Sequence, residues 1–316
     1  MTDRSRPPEP RPPEPRPPEP RPPEPLCTSK VRLGDGAVTV VRRHGNPDGP
    51  RLVLSCGLGF AVDLYWPYWS LLAEDFDIVV YDLRSHGWNA VTPLRIHNLP
   101  TLVDDNRRVL DAMSASFGSK PSIGVFHSLS AMVALMHERH EPTFAALVLF
   151  DPPICPPGAD LDDMETVCQG LSGRARRRQR HFESPRELVT LLQNASGFAL
   201  VPPETQELFA EVTLRPAAGG GYELRCPPEH EGQLYEWYFG FSMQAPEILD
   251  SIEIPVKVIG SDPTAAFSFL PAVDLSTLTI LDYDFIPDTT HLLQLEAPRS
   301  CAELTRQFLQ EQKLSH

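Results

Sequence analysis

Short runs of almost wholly apolar residues recur along this chain, and segments with helical spacing lie between them. The runs are Arg51–Ser55, Phe76–Tyr81, Pro121–Phe126, Phe144–Phe150, Ile254–Ile259 and Leu278–Leu281. A run that is apolar throughout has no solvent-facing side, so it predicts a strand buried on both faces of a sheet. Because helices alternate with these strands, we expect an α/β fold with helices on both faces of a mostly parallel sheet.

The alternation is interrupted once along the chain. It stops after Asp151 and resumes at Ile254, and the segment between carries helical patches and turns rich in proline and glycine. An insertion between two halves of a parallel sheet lies over the carboxyl ends of the strands, where α/β sheets bind ligands. We therefore expect a core of residues 26–152 and 251–316, with a cap or lid formed by residues 153–250.

The N-terminal segment has a different composition. Residues 6–25 are four consecutive copies of Arg-Pro-Pro-Glu-Pro. Proline fixes φ and lacks an amide hydrogen, so this segment favours an extended polyproline II conformation over helix or sheet. Residues 1–25 are predicted to form a disordered tail. The tail is either a ligand for a proline-binding module or an expanded repeat without a binding role.

Charge and composition argue against several classes of function. The net charge of −14 at pH 7 disfavours nucleic acids and anionic membranes as partners. No apolar run approaches the ~18 residues of a membrane span, and the start of the chain has no apolar signal segment. The six cysteines include no CxxC pair, which disfavours a zinc or redox site. We expect a cytoplasmic protein that acts on a small molecule without a metal or organic cofactor.

The strongest chemical signal is the sequence Val-Phe-His-Ser-Leu-Ser-Ala around Ser128. It joins an apolar strand to a helical segment, which is the context of a nucleophile elbow, a tight turn that presents a serine hydroxyl above the sheet. The helix that follows points its N-terminus at the site and favours negative charge there. Ser128 is therefore the predicted nucleophile, and Ser130, deeper in the helix, is the alternative.

This segment resembles the elbow of the α/β-hydrolase superfamily, which reads Gly-x-Ser-x-Gly and often Gly-His-Ser-x-Gly. His127 and Ser128 match that form, whereas Phe126 and Ser130 replace the two glycines. The resemblance covers about residues 30–316 and implies a serine hydrolase with a cap.

The resemblance also implies an oxyanion hole, which binds the negatively charged oxygen of a tetrahedral intermediate. In the family, the loop after an early strand usually begins His-Gly and supplies one backbone amide; here it reads Cys56-Gly57-Leu58-Gly59. Carried over by position, the two donors are the N–H groups of Leu58 and Leu129. Each such donor contributes ~3 kcal/mol to transition-state stabilisation.

The acid and the base are expected downstream, in the family's order of serine, acid and histidine. The strand that ends Gly-Ser-Asp at Asp262 resembles the family's acid-bearing loop. Thr290-His291 resembles its catalytic-histidine loop, in which a glycine usually precedes the histidine. The resemblance implies that His291 takes the serine proton and that Asp262 orients its ring.

Other residues compete for these roles. Asp151 ends the preceding strand, where a minority of the superfamily carries its acid, and Asp284 and Asp288 lie close to His291 in sequence. His86 has the chemistry of a base, but its segment, Asp82–Gly87, resembles a structural turn of the family. We interpret His86 as a packing residue.

Two functions follow from these residues. The first is an esterase-like hydrolase that cleaves an ester-type or carbon–carbon bond of a small, fairly apolar substrate. The second is a non-catalytic binding protein of the same fold, because Phe126, Cys56 and Thr290 all depart from the family pattern. The aromatic segment Tyr235–Phe239 either packs in the core or lines an acyl pocket.

Overall fold

The computed structural model describes residues 21–155, 159–264, 274–276, 278 and 282–315. An eight-stranded sheet and a separate three-stranded sheet account for the strands in these ranges. The strands are β1 (Cys27–Arg32), β2 (Val38–Gly45), β3 (Arg51–Ser55), β4 (Asp77–Tyr81), β5 (Ser122–His127), β6 (Ala146–Phe150), β7 (His181–Phe182), β8 (Leu214–Pro216), β9 (Tyr222–Leu224), β10 (Val256–Ser261) and β11 (Asp282–Ile286).

The larger sheet has the strand order β1-β2-β4-β3-β5-β6-β10-β11. β1 and β2 form an antiparallel hairpin at one edge, and β2 pairs antiparallel with β4. All other neighbouring strands pair parallel. Every residue of β3, β4, β5 and β6 is buried, which confirms the predicted parallel sheet covered on both faces.

Nine α-helices accompany the strands within the described ranges. They are α1 (Trp66–Trp69), α2 (Leu99–Phe117), α3 (Leu129–His140), α4 (Leu161–Arg176), α5 (Pro185–Gln193), α6 (Pro203–Thr213), α7 (Pro228–Asp250), α8 (Leu293–Glu296) and α9 (Pro298–Glu311). Helix α2 is capped at its start, where the Asn98 side chain accepts a hydrogen bond from Thr101 N, and it ends at Gly118, which has φ +86°. α3 contacts β5, and α9 contacts β10.

A buried ion cluster braces the amino ends of the central strands. Asp77 begins β4 and lies 2.6 Å from Arg43 Nε, 2.9 Å from Arg51 Nε and 3.3 Å from Lys120 Nζ. The side chains of Arg51 and Asp77 are fully buried. Arg51 also donates to the carbonyl oxygens of Phe117 and Gly118, which ties the end of α2 to the sheet.

The chain leaves the main sheet between β6 and β10. Residues 153–250, expected as a cap, carry helices α4 to α7 and the small antiparallel sheet β7-β9-β8, which the sequence pattern did not indicate. α4 packs along α7, and α5 packs against α6. We call residues 153–250 the insert.

Some expectations concern residues outside the described ranges. Of the predicted strand Leu278–Leu281 only Leu278 is described, and the edge strand of the sheet is β11, which begins at Asp282. Of the proline-rich tail, residues 21–25 are described, and Arg21 forms an exposed ion pair with Glu211. None of the helices in the described part of the chain has the length and apolar character needed to cross a bilayer.

Candidate active site

Ser128 occupies the sharp turn between β5 and α3. Its backbone has φ +51° and ψ −112°, and its N–H donates to the carbonyl of Phe150, at 3.0 Å. Positive φ is strained for a residue with a Cβ and persists only where the surrounding structure enforces it. The strained turn puts Ser128 at the carboxyl edge of the parallel strands, next to the N-terminus of α3.

Phe126 fits the elbow because of a glycine two residues earlier. The Phe126 ring is buried and packs edge-on against Phe144, with ring centroids 5.6 Å apart. A Cβ on Gly124 would lie 2.5 Å from the Phe126 ring and 2.6 Å from Leu147. The missing side chain at Gly124 therefore provides the room that a bulky residue at 126 requires.

The hydroxyl of Ser130, the alternative nucleophile, makes its hydrogen bonds to backbone atoms. Its Oγ accepts a hydrogen bond from His127 N at 3.0 Å and lies within donating distance of the carbonyls of Ser55 and His127. This hydroxyl holds the turn together, in the place of the second glycine of the family motif.

His291 is hydrogen-bonded to a carboxylate, and that carboxylate is Asp151. His291 Nδ1 lies 2.7 Å from Asp151 Oδ2; the His291 side chain is buried, and 12% of the Asp151 side chain is exposed. Asp151 follows β6 with φ +41°, and its carboxylate also accepts from the N–H and the hydroxyl of Ser261. Burial alone would raise the pKa of Asp151. The hydrogen bonds from His291 and Ser261 and the His291 charge outweigh burial, so the pKa lies below its ordinary value.

The expectation that Asp262 orients His291 is wrong in this geometry. Asp262 Oδ1 accepts from the N–H and hydroxyl of Thr264, and Oδ2 accepts from Asp288 N at 2.9 Å. The Thr264 hydroxyl and these two amides lower the pKa of Asp262. The carboxylate is turned toward its own loop and fastens that loop to the segment that carries His291.

The other residues near His291 have structural contacts. Asp284 lies 2.6 Å from Lys257 Nζ, an ion pair between β10 and β11. Thr290, which replaces the family's glycine, donates from both its N–H and its hydroxyl to the carboxylate of Glu296, each at 2.6 Å. This double contact holds the His291 loop against α8.

The predicted oxyanion loop is fixed on both sides of Leu58. Gly57 N donates to the Tyr65 hydroxyl, and Gly59 N donates to His86 Nε2, both at 3.0 Å. Within the described residues, the N–H groups of Leu58 and Leu129 have no hydrogen-bond acceptor. The two predicted donors are thus available, whereas the neighbouring amides are used to hold the loop.

His86 supports this loop through a defined tautomer. Its Nδ1 lies 2.8 Å from the carbonyl oxygen of Arg84, which can only accept, so Nδ1 carries the proton and Nε2 accepts from Gly59. Burial lowers the pKa of His86 to about 4, which keeps the ring neutral near neutral pH. The interpretation of His86 as a packing residue agrees with these contacts.

His127, beside Ser128, links three segments of the candidate site, a role that the sequence did not indicate. Its Nε2 donates to the His291 carbonyl at 2.9 Å, and its Nδ1 accepts from the Tyr65 hydroxyl at 2.7 Å. Since Tyr65 also accepts from Gly57, one ring connects the elbow, the oxyanion loop and the His291 loop. Burial lowers the pKa of His127 to about 3, so the ring is neutral.

A cavity of about 510 Å³ opens where the strand ends meet the insert, and we call it cavity 1. Ser128, Asp151 and His291 line it on the sheet side. The remaining wall is mostly apolar and includes Met164, Val167, Cys168 and Leu171 of α4 and Leu275. In the ranges described, no group of three or more His, Cys, Asp or Glu side chains is arranged to hold a metal ion.

Tyr238 of α7 reaches Ser128 from the insert. Its hydroxyl lies 3.3 Å from Ser128 Oγ, and burial raises its pKa, so the hydroxyl stays protonated. Tyr238 belongs to the aromatic segment that the sequence left open between core packing and a pocket wall. It does both, because its side chain is buried and lines cavity 1.

Comparison with known proteins places this geometry in a family. The alpha/beta hydrolase family profile matches residues 44–304. E-2-(acetamidomethylene)succinate hydrolase is similar in structure, with a TM-score of 0.72 and 18% identity over 90% of this chain and 99% of that chain.

Two further solved structures resemble the chain. The thioesterase domain of the curacin biosynthetic pathway has a TM-score of 0.66 and 20% identity over 88% of this chain and 98% of that domain. The esterase from Thermogutta terrifontis, solved with malate bound, has a TM-score of 0.66 and 18% identity over 92% of this chain and 100% of that chain. No curated protein matches. On the match that spans most of its length, the chain belongs to the alpha/beta hydrolase family of enzymes.

Proposed function

We propose that this protein is a serine hydrolase that cleaves an ester-type bond, or a carbon–carbon bond, of a small and fairly apolar substrate through an acyl-enzyme. Ser128 is the nucleophile, His291 the general base and Asp151 the acid that orients it, in place of Asp262. The observation that carries this proposal is the strained serine elbow beside a histidine bonded to a largely buried carboxylate, all three lining one cavity.

The hydrogen bond between His291 and Asp151 defines the direction of proton transfer. A carboxylate accepts, so Nδ1 of His291 carries a proton and the neutral ring has its lone pair on Nε2. Nε2 takes the proton of Ser128 as Oγ attacks the carbonyl carbon, and it then returns the proton to the leaving group. Asp151 stabilises the imidazolium that forms between these steps.

The oxyanion is held by backbone groups. The N–H groups of Leu58 and Leu129 supply two fixed donors, and the N-terminus of α3 adds a favourable dipole. Water then attacks the acyl-enzyme with His291 again as base. Every step uses protein side chains and amides, so the reaction needs no cofactor.

The residues that suggested a non-catalytic protein each have a structural account. Gly124 makes room for Phe126, Glu296 anchors Thr290, and Cys56 is a buried core residue. None of the three replaces a group that the proposed chemistry requires. The departures from the family pattern therefore do not favour the binding-protein alternative.

A fluorophosphonate probe tests the proposal, because it reacts covalently with an activated serine. We expect the wild-type protein to form one adduct, which mass spectrometry locates at Ser128, and Ser128→Ala to form none. Ser242 lines the same cavity and provides a matched control, since Ser242→Ala removes a serine without touching the elbow. An adduct at Ser130, or equal labelling of Ser128→Ala, contradicts the assignment.

A further inference from the structure

A second cavity lies beside the proposed catalytic centre. It has a volume of about 350 Å³ and is bounded by the oxyanion loop and by the insert helices α4, α5, α6 and α7; we call it cavity 2. Its wall is mostly apolar, with Leu188 and Leu192 of α5 and Phe209 of α6 among the lining residues. Pockets of this kind bind apolar groups, and the few polar groups in them determine orientation.

The two cavities share one wall. Leu171 of α4 lines both of them. On α7, Tyr235 lines cavity 2 and Tyr238 lines cavity 1, and their ring centroids are 5.0 Å apart. Leu171 and the two tyrosines therefore lie where the two cavities adjoin.

The proposed chemistry assigns the two ends of a substrate to the two cavities. His291 must return its proton to the leaving group, and His291 lines cavity 1. Leu58, whose amide would bind the carbonyl oxygen, lines cavity 2. An acyl chain held by this amide and directed away from the leaving group would extend toward cavity 2.

The charges around cavity 2 indicate what the far end of that chain carries. Arg178 is paired with the buried carboxylate of Glu231, so this pair is neutral overall. Arg174 also lines cavity 2, is exposed, and has no acidic partner among the described residues. The cavity therefore has one uncompensated positive charge at an exposed edge.

We propose that cavity 2 binds a linear acyl chain that ends in a carboxylate, with Arg174 as the residue that recognises the charged end. This proposal rests on the proposed function, because it takes Ser128 as the point of acyl transfer. The apolar wall accepts the methylene groups, and the Arg174 guanidinium contacts the carboxylate where it emerges into solvent.

Two esters of the same chain length distinguish the contribution of the terminal charge to binding from that of the methylene chain. Monomethyl suberate has a scissile ester at one end and a carboxylate at the other, whereas dimethyl suberate has the same chain and no charge. Calorimetric titration of Ser128→Ala with each ester measures binding without turnover. We expect the monomethyl ester to bind about fivefold more tightly at low salt, as for an exposed ion pair, with the preference shrinking as salt rises.

The decisive comparison is between two arginines of one helix end, each changed in the Ser128→Ala protein. Arg174→Gln should weaken the binding of monomethyl suberate, so that it binds no more tightly than dimethyl suberate. Arg177→Gln makes the same change of charge at a residue that does not line cavity 2, and the preference should remain. A preference that survives Arg174→Gln, or falls equally in Arg177→Gln, overturns the proposal.

Filling the cavity tests the path of the chain. Leu192→Trp fills part of cavity 2 and should weaken the binding of both suberate esters at least tenfold, while circular dichroism shows that the protein is still folded. Undiminished suberate binding in a folded Leu192→Trp protein would place the chain elsewhere. If the suberates bind as expected but wild type hydrolyses no ester, the proposed function fails and the binding site stands. If wild type hydrolyses esters but binding shows no preference for the charged ester, the proposed function stands and the binding site fails.

Discussion

The two edges of the parallel sheet hold carboxylates in opposite ways. At the amino edge, Asp77 is surrounded by Arg43, Arg51 and Lys120, and the backbone around it is ordinary strand. At the carboxyl edge, Asp151 has positive φ and bonds to one histidine and one serine. A carboxylate surrounded by cations is a brace. One that bonds to an imidazole stabilises the charge which that ring acquires when it takes a proton.

The largest expected effect is at the strained turn of the carboxyl edge. Ser128→Ala should lower kcat for a small ester by about 10⁶-fold, as for removal of the nucleophile in other Ser-His-Asp enzymes. The melting temperature should change little, because among the described residues the buried hydroxyl makes only a long contact of 3.3 Å with the Tyr238 hydroxyl. Retention of more than a small fraction of wild-type kcat would show that Ser128 is not the nucleophile.

The next largest effect distinguishes the two candidate acids. Asp151→Asn should lower kcat about 10⁴-fold, because an amide at this position favours the wrong tautomer of His291. Asp262→Asn should cost about fivefold, the equivalent of one weakened hydrogen bond to the His291 loop. Kinetics and thermal melting of both variants decide between them, and a larger loss in Asp262→Asn than in Asp151→Asn would restore Asp262 as the acid.

At the amino edge the prediction is for stability and not for rate. Asp77→Asn should lower the free energy of unfolding by about 3–5 kcal/mol, because it leaves the buried Arg51 charge uncompensated. The kcat of the folded fraction should stay near wild type. Asp104→Asn is the control: it removes exposed pairs with Arg107 and Arg108 worth about 0.5 kcal/mol or less. Equal denaturant midpoints for the two variants would refute the idea of a brace.

A smaller effect is expected where His127 connects the segments of the site. Tyr65→Phe removes the hydroxyl shared by Gly57 N and His127 Nδ1, which should lower kcat about tenfold through the loss of roughly one buried hydrogen bond at each partner. KM should change less than kcat, because the groups that are displaced act on the transition state. A Tyr65→Phe enzyme that changes in KM alone would assign Tyr65 to substrate binding.

Lowering the pH should destabilise the protein in two stages, first through its buried histidines and then through Asp77. Burial lowers the pKa of His86 to about 4 and that of His97 to about 2, against 6.5 when unfolded. The unfolded state therefore takes up protons first, and stability falls as pH drops below about 6.5, by up to about 1.4 kcal/mol per pH unit for each such histidine. The pKa of Asp77 is lowered, because its bonds to Arg43 and Arg51 outweigh burial, so its contribution is lost only below the ordinary value of 3.8.

His97 allows a direct test of this order. Neither of its ring nitrogens has a hydrogen-bond partner among the described residues. His97→Leu should therefore reduce the slope of unfolding free energy against pH between about 6.5 and 4 by roughly 1 kcal/mol per unit. The same substitution at the exposed His181 is the control and should leave the slope unchanged. An unchanged slope in His97→Leu would show that the buried histidines do not cause the loss of stability in acid.

The fold could be predicted from sequence because its signal is local and repeated. Each fully buried strand is a separate apolar run, and the strand, turn and helix around Ser128 follow one another without a gap. The small sheet of the insert gave no such signal, since β7 has two residues and β8 and β9 three each. Strands this short lack a readable period.

The carboxylate that bonds to His291 was harder to predict, because both candidates end neighbouring strands. Asp151 and Asp262 follow β6 and β10, which pair side by side, so each can approach His291. The two aspartates differ in their backbone dihedrals and in the donors that lie near their carboxylates. Thr264 N and Asp288 N donate hydrogen bonds to the Asp262 carboxylate. His127 was missed for a similar reason, because its partner Tyr65 is 62 residues away in sequence.

The fit between Gly124 and Phe126 makes the order of mutations matter. With phenylalanine at 126, Gly124→Ala brings a methyl group to 2.5 Å from the ring, an overpacking that costs about 1–3 kcal/mol. Phe126→Gly removes the clash with the ring and leaves only the 2.6 Å approach to Leu147, so the double variant should be more stable than the sum of its single changes implies. The two positions are therefore expected to be epistatic. A protein with the family's usual glycine at 126 could acquire phenylalanine without a clash only if position 124 was already glycine.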